Sequence, residues 1–381
     1  MRIVADENIA FVREAFGRLG EVVTLPGRGM SAAAVADADM LLVRSVTKVG
    51  SVLLDDSKVK FVGTATIGTD HLDTSYLDRR GIANAAAPGS NATSVAEYVM
   101  AALLVLARRG RYKLAGKSIG IVGVGNVGSR VAARAQALGM KVLLNDPPLF
   151  RKTGDRKYLP LEKLFKANFI TIHTPLTMEG QDATFHLVNE DFVARMKAGS
   201  VLINTARGQI AEGRALKRAL DGDLLSEVIL DVWENEPEPD PSLIERAAIA
   251  TPHIAGYGYD GKVRGTQMIY DAACRFLKAR RTWKMEDTMP VPPYPQLEIR
   301  ARGREDEDVI RDAVLTVCDV EADDAAMRKT LQLPEEDRAA YFDRLRREYP
   351  VRREFHNTTV TIQGKRAGLV KKLKGLGFRV A

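Results

Sequence analysis

Six residues, Gly123-Val124-Gly125-Asn126-Val127-Gly128, lie between an apolar run, Lys117-Ser118-Ile119-Gly120-Ile121-Val122, and a stretch of helical periodicity. A strand, a glycine turn and a helix in that order form the entry to a dinucleotide-binding unit. Gly123 permits the tight turn, Gly125 lets a pyrophosphate approach the backbone, and Gly128 lets the helix pack closely on the sheet. The helix N-terminus, with Asn126 and Val127 in its first turn, then faces the anion. Asp146 closes the next apolar run. Its carboxylate can accept hydrogen bonds from both ribose hydroxyls and would repel a 2′-phosphate, which points to NAD over NADP.

The rest of the chain extends this pattern in both directions. Arg2-Ile3-Val4-Ala5, Met40-Leu41-Leu42-Val43, Lys60-Phe61-Val62-Gly63 and Gly81-Ile82-Ala83-Asn84 are short apolar runs with helical segments such as 10–19 between them. They read as buried parallel strands. Ser94-Val95-Ala96-Glu97 reads as a capping box opening a helix to about Arg108. Beyond the glycine turn, strands are expected at 141–144, 169–173, 200–204, 228–231 and 249–250, and a helix at 262–278. Met289-Pro290-Val291-Pro292-Pro293-Tyr294-Pro295 forms a stiff linker. The expected architecture is α/β: two Rossmann-like or flavodoxin-like parallel-sheet domains with a cleft between them, then a small α+β C-terminal domain. The boundaries read as 1–93 with 254–285, 94–253, and 286–381.

The net charge of +7 raises the question of nucleic acid, and its distribution answers it. Residues 286–343 hold 7 basic and 16 acidic side chains, and 344–381 hold 11 basic and 2 acidic. Complementary blocks suit a region that folds on itself or on a twin subunit better than one that grips phosphate backbone. Neither a nucleic-acid partner nor a membrane partner is expected. Val99 to Ala107 is too short to span a bilayer, and acids interrupt the N-terminus where a signal peptide needs its apolar stretch. Cys274 and Cys318 lie far from each other and from every motif, so no disulfide framework or metal cluster is expected. A cytoplasmic location fits.

Three further groups carry chemistry. Arg207 follows the run Val201-Leu202-Ile203-Asn204, at the carboxyl edge where α/β sheets place ligands. Its planar guanidinium can hold a carboxylate by two hydrogen bonds. His253 follows Pro252 at another strand end, where an imidazole suits removal of a hydroxyl proton, and Glu236 can fix its tautomer. Asp231 can accept from a nicotinamide carboxamide or cap the following turn. His173 reads as packing near the cofactor, and His71, His186 and His356 as structural.

These residues, with Ala206-Arg207-Gly208, Asp231-Val232-Trp233-Glu234-Asn235-Glu236-Pro237 and Thr251-Pro252-His253-Ile254-Ala255-Gly256 in sequence, resemble the D-isomer-specific 2-hydroxyacid dehydrogenases. That resemblance implies NAD-dependent oxidation, with Arg207, Glu236 and His253 as catalytic residues. The segments 44–49, 61–71, Asp146-Pro147-Pro148 and Gly256-Tyr257, with Asp323-Asp324, 345–349 and 352–355, are similar to one branch of that family. That branch oxidises 4-phospho-D-erythronate at carbon 2 on the route to pyridoxal 5′-phosphate, as a homodimer joined through its C-terminal domain. By the same resemblance Ser45, Thr66 and Tyr257 would meet the substrate, and Asp146, Thr174, Ala206, Asp231 and Gly256 would meet NAD. A phosphorylated acid is anionic at both ends and needs a second cation. Arg44, beside Ser45, is the first candidate; Arg346 or Arg347 of a partner subunit is the second. The same triad would serve another D-2-hydroxyacid dehydrogenase, such as a phosphoglycerate dehydrogenase, and an NADH-sensing scaffold could also retain it.

Overall fold

The computed structural model describes residues 1–364 and 366–381. They form two compact units, one of Met1–Asn91 with Gly258–Val291, the other of Ala92–Tyr257 with Pro292–Ala381.

The first unit holds β1 (Arg2–Asp6), β2 (Glu21–Leu25), β3 (Met40–Val43), β4 (Phe61–Thr64) and β5 (Ala83–Ala85). All pair in parallel, in the order β2-β1-β3-β4-β5. This is the flavodoxin-like arrangement. β3 and β4 are buried throughout, which explains their unbroken apolar sequences. β2 has no counterpart among the expected strands because it lies at the sheet edge, with only half-buried or exposed residues. The helix expected over 10–19 covers only Val12–Phe16 and is preceded by Phe11 in the left-handed conformation (φ 56°). Helix Tyr259–Leu277 returns the chain to this unit and packs Ile269 and Tyr270 into one core with Phe16 and Phe61.

In the second unit β6 (Ser118–Val122), β7 (Lys141–Asn145), β8 (Phe169–Ile172), β9 (Ser200–Asn204), β10 (Leu225–Leu230) and β11 (Ile249–Ala250) make a parallel sheet ordered β11-β10-β9-β8-β6-β7. A single bridge from Leu144 to Tyr158 adds the rudiment of one more strand outside β7. Counting that bridge, the order is the Rossmann one. A third sheet, of β12 (Gln296–Arg300), β13 (Thr359–Gln363) and β14 (Arg379–Val380), is also parallel throughout.

Helix Ala92–Arg109 is buried at every position from Ala92 to Ala107 except Thr93. It packs on helix Asn126–Ala137 and on the C-terminal helices Asp306–Val317 and Val320–Arg328. A helix apolar all round needs such cover. Ser94 and Glu97 therefore do not cap it: the helix has already begun at Ala92. Ser94 Oγ donates to Glu354 Oε1 at 2.9 Å, and Glu97 Oε1 accepts from the Phe355 N–H at 2.9 Å. Burial, reinforced by the Glu354 carboxylate, pushes the Glu97 carboxyl well above its usual range, against the pull of Arg134. Both cysteines are free and buried, and burial pushes the Cys318 thiol up to about 12. Among the described residues no helix is long and apolar enough to cross a membrane.

Candidate active site

Three loops at the carboxyl edge of the second unit's sheet carry Arg207, Glu236 and His253. The first leaves β9 at Asn204, whose side chain fixes its shape: Nδ2 donates to the Arg207 carbonyl at 2.9 Å and Oδ1 accepts from the Ala206 N–H at 3.1 Å. Arg207 itself is half-buried, with Nη1 donating to the Ala206 carbonyl at 2.8 Å. Gly208 then passes so close to the second loop that a Cβ there would lie 1.9 Å from the Trp233 carbonyl carbon and oxygen. Only glycine allows this approach.

Glu236 divides its carboxylate between two loops. Oε1 accepts from the Trp233 N–H at 3.0 Å, and Oε2 meets His253 Nδ1 at 2.7 Å. Burial raises this carboxyl, but the His253 ring, the Arg346 charge and the Trp233 N–H together outweigh it and hold the group below its usual range. Glu236 is thus an anion at neutral pH, and its contact leaves the other ring nitrogen, Nε2, for chemistry. His253 sits at φ 58°, in the left-handed region, where its N–H donates to the Asp231 carbonyl at 2.7 Å.

Asp231 anchors the His253 loop from beneath. Its Oδ1 accepts from Thr251 Oγ1 at 2.6 Å and from the Ile254 N–H at 2.8 Å, and Oδ2 accepts from the Ala255 N–H at 3.0 Å. Of the two roles left open by the sequence, these bonds belong to the turn-capping one. Burial pushes the carboxyl up to about 6 despite these donors and the nearby His253. Trp233 Nε1 donates to the Thr251 carbonyl at 2.9 Å, joining the second and third loops again.

The C-terminal region holds the same loop from the other side. Asp324 Oδ1 accepts from the Ala250 N–H at 2.7 Å, and buried Arg352 donates through Nη2 to the Ala255 carbonyl at 2.6 Å. Arg346, near the end of helix Glu335–Arg347, donates through Nε to the Tyr257 hydroxyl at 3.0 Å. This contact is within one chain, whereas the sequence reading placed Arg346 on a partner subunit. Arg347 is exposed beside Glu348. No local motif marks Asp324, Arg346 or Arg352 as neighbours of His253, because each comes from more than 70 residues away.

The glycine turn fits a dinucleotide. A Cβ on Gly123 (φ 85°) would lie 2.7 Å from the His173 carbonyl oxygen, and one on Gly128 would lie 2.0 Å from the Gly123 carbonyl oxygen. At Gly125 a Cβ would meet nothing within 4 Å. Two of the glycines therefore serve the packing of the turn, and the third opens onto free space at the start of helix Asn126–Ala137. Asp146 accepts from the Val124 N–H at 2.8 Å and from the Leu149 N–H at 2.9 Å, which ties the turn to the end of β7. Thr174 Oγ1 and Thr205 Oγ1, beyond β8 and β9, are buried without a hydrogen-bond partner, as groups awaiting a polar ligand would be. His173 lies next to them, its Nε2 2.9 Å from Thr171 Oγ1. Burial pushes its pKa down to about 3, so the ring is neutral.

Residues 100–255 match the D-isomer specific 2-hydroxyacid dehydrogenase NAD binding domain, and residues 288–377 match a domain of unknown function, DUF3410. The erythronate-4-phosphate dehydrogenase of Yersinia enterocolitica is 42% identical over 379 residues, 99% of either chain. That of Salinibacter ruber is 46% identical over 372 residues, 94% of either chain. The chain belongs to the erythronate-4-phosphate dehydrogenase family. It is an NAD-dependent oxidoreductase. Among solved structures, the NAD+-bound 3-phosphoglycerate dehydrogenase of Entamoeba histolytica superposes with a TM-score of 0.63 at 25% identity, over 73% of this chain and 95% of that one.

Within this family member the remaining candidates fall as follows. Gly256 and Tyr257 end the His253 loop, where the Tyr257 N–H donates to the Ile254 carbonyl at 2.8 Å and the two rings of Tyr257 and Tyr349 meet edge to face. Arg44, Ser45 and Thr66 belong to the first unit. Arg44 and Ser45 directly follow β3, and Thr66 follows β4, its Oγ1 2.7 Å from Thr64 Oγ1 and 3.1 Å from the Gly68 carbonyl. His71 Nε2 lies 2.9 Å from Thr64 Oγ1, and His186 Nε2 lies 2.8 Å from Glu234 Oε1.

Proposed function

We propose that the chain oxidises 4-phospho-D-erythronate at carbon 2 to (R)-3-hydroxy-2-oxo-4-phosphobutanoate, in pyridoxal 5′-phosphate biosynthesis. The observation that carries this reading is the 2.7 Å contact between Glu236 Oε2 and His253 Nδ1, in a chain so similar to dehydrogenases of that name. Arg207 binds the substrate carboxylate and orients carbon 2. His253 Nε2 takes the carbon-2 hydroxyl proton, and Glu236, holding Nδ1–H, stabilises the imidazolium that results. Bound between these residues, NAD would supply the hydride acceptor for carbon 2, so that the alcohol would become a ketone with formation of NADH and one proton. Gly123, Gly125, Asn126, Val127 and Gly128, with Asp146, Thr174, Ala206, Asp231 and Gly256, form the NAD side. Arg44, Ser45, Thr66 and Tyr257 form the substrate side.

In this reading residues 1–93 with 254–285 bind substrate, 94–253 bind NAD, and 286–381 join two copies into a homodimer in the cytoplasm. The opposite charges of 286–343 and 344–381 suit pairing within one chain, as Arg366 and Lys372 do with Asp306, as well as between two copies. Light scattering on the purified protein decides that point.

The test of the activity is NADH formation by purified protein supplied with NAD and either 4-phosphoerythronate, 3-phosphoglycerate or erythronate. Selective turnover of the first is expected; preference for 3-phosphoglycerate would transfer the chain to that reaction. His253→Asn should lower kcat by about 10²- to 10⁴-fold while leaving NAD affinity within about twofold.

A further inference from the structure

Arg346 is a half-buried cation that, among the described residues, leaves most of its hydrogen-bonding capacity unused. Its side chain is 15% exposed. A guanidinium has five N–H donors, and among the described residues the only hydrogen bond of this one is Nε–H to the Tyr257 hydroxyl. The nearest carboxylate, Asp343, lies 4.0 Å from Nη1, beyond hydrogen-bond range. Aromatic rings enclose it, with the guanidinium carbon 5.6 Å from the centre of Tyr257 and 5.8 Å from that of Phe342. Glu236 feels this charge but spends its two oxygens on His253 and Trp233. Burying a guanidinium is costly unless an anion compensates it. Among the described residues no carboxylate meets it at hydrogen-bond distance, and Asp343 reaches it only as an ion pair at 4.0 Å.

We propose that Arg346 receives the substrate phosphate, and that residues 288–377 are thereby part of the specificity machinery for the reacting molecule. The proposal rests on the function proposed above. A four-carbon acid held by its carboxylate at Arg207 carries a dianion at its other end. Its phosphate oxygens can accept in parallel from the two Nη groups, a geometry that suits arginine better than lysine. Tyr257 completes the subsite: its hydroxyl and ring hold Arg346 in place, and it is four residues from His253 in the same loop. The phosphate anchor and the proton acceptor are thus positioned by one short segment, itself tied down by Asp324 and Arg352.

The experiment compares kcat/KM for 4-phosphoerythronate and for erythronate in the wild type, Arg346→Gln and Arg346→Lys, with Arg44→Gln alongside. Loss of charge-assisted hydrogen bonds should lower the phosphorylated-to-unphosphorylated ratio roughly 10- to 100-fold in Arg346→Gln, chiefly through KM. Arg346→Lys should recover part of that ratio. As a second readout, inorganic phosphate should inhibit the wild type competitively, with a Ki at least about tenfold higher in Arg346→Gln. A parallel fall for both substrates, an unchanged Ki, or a ratio that collapses in Arg44→Gln alone would overturn the assignment. Failure of the wild type to oxidise 4-phosphoerythronate would instead overturn the underlying function.

Discussion

The hydroxyl of Tyr98 lies 2.7 Å from that of Thr251, inside the protein and away from solvent. Thr251 gives its own proton to Asp231, so Tyr98 is the donor in this pair. A relay from the buried helix Ala92–Arg109 thus ends beneath the loop of His253. Tyr98→Phe would leave the Thr251 oxygen short of one partner in a dry site, at a cost of about 1–3 kcal/mol. Urea unfolding should show that loss together with a fall in kcat. A variant with wild-type stability would mean that the contact carries no weight.

Gly125 separates folding from cofactor binding. Because a methyl group there meets no protein atom within 4 Å, Gly125→Ala should melt within about 1 kcal/mol of the wild type. The methyl would occupy the space through which a pyrophosphate reaches the backbone, so the Kd for NAD, read by fluorescence titration, should rise at least about tenfold. Unchanged affinity would remove Gly125 from the dinucleotide cradle.

Asp231 makes stability depend on pH in the sense opposite to a surface carboxylate. Its folded-state pKa of about 6 lies above the ordinary 3.8, so between those values the folded protein holds a proton that the unfolded chain has released. Stability from this group is therefore full below about pH 4 and falls as pH rises through 6, by about 3 kcal/mol. Asn has no such titration. The stability of the wild type relative to Asp231→Asn should decline from pH 4 to pH 7 in urea unfolding; a gap that widens with pH would refute the burial argument.

Much of the fold is legible in the sequence because a parallel sheet buries its strands on both faces and leaves them as apolar runs with glycine and polar residues between. β3, β4 and β9 show this directly. β2 does not, since an edge strand needs no continuous apolar face. Glu236 and His253 meet because both belong to loops leaving neighbouring strands. Ser94 and Glu97 mislead for an instructive reason: a capping pattern describes local hydrogen bonds, whereas these two side chains bond to residues 354 and 355. Arg346 is legible only in part: a substrate anionic at both ends calls for a second cation, but only the tertiary fold turns this one toward Tyr257 of its own chain.

Helix Ala92–Arg109 is buried from Ser94 to Ala107, and the C-terminal helices cover part of it. Residues 292–381 are therefore no detachable module. Cutting the chain in the proline-rich segment would leave an oily stripe on the nucleotide-binding half and favour its aggregation. Conversely, fusing this region onto a shorter dehydrogenase would gain nothing unless the recipient's own helix were rewritten as apolar on a formerly wet face. The C-terminal region and the helix it shelters must be inherited together, and a lineage that loses one has to re-engineer the other.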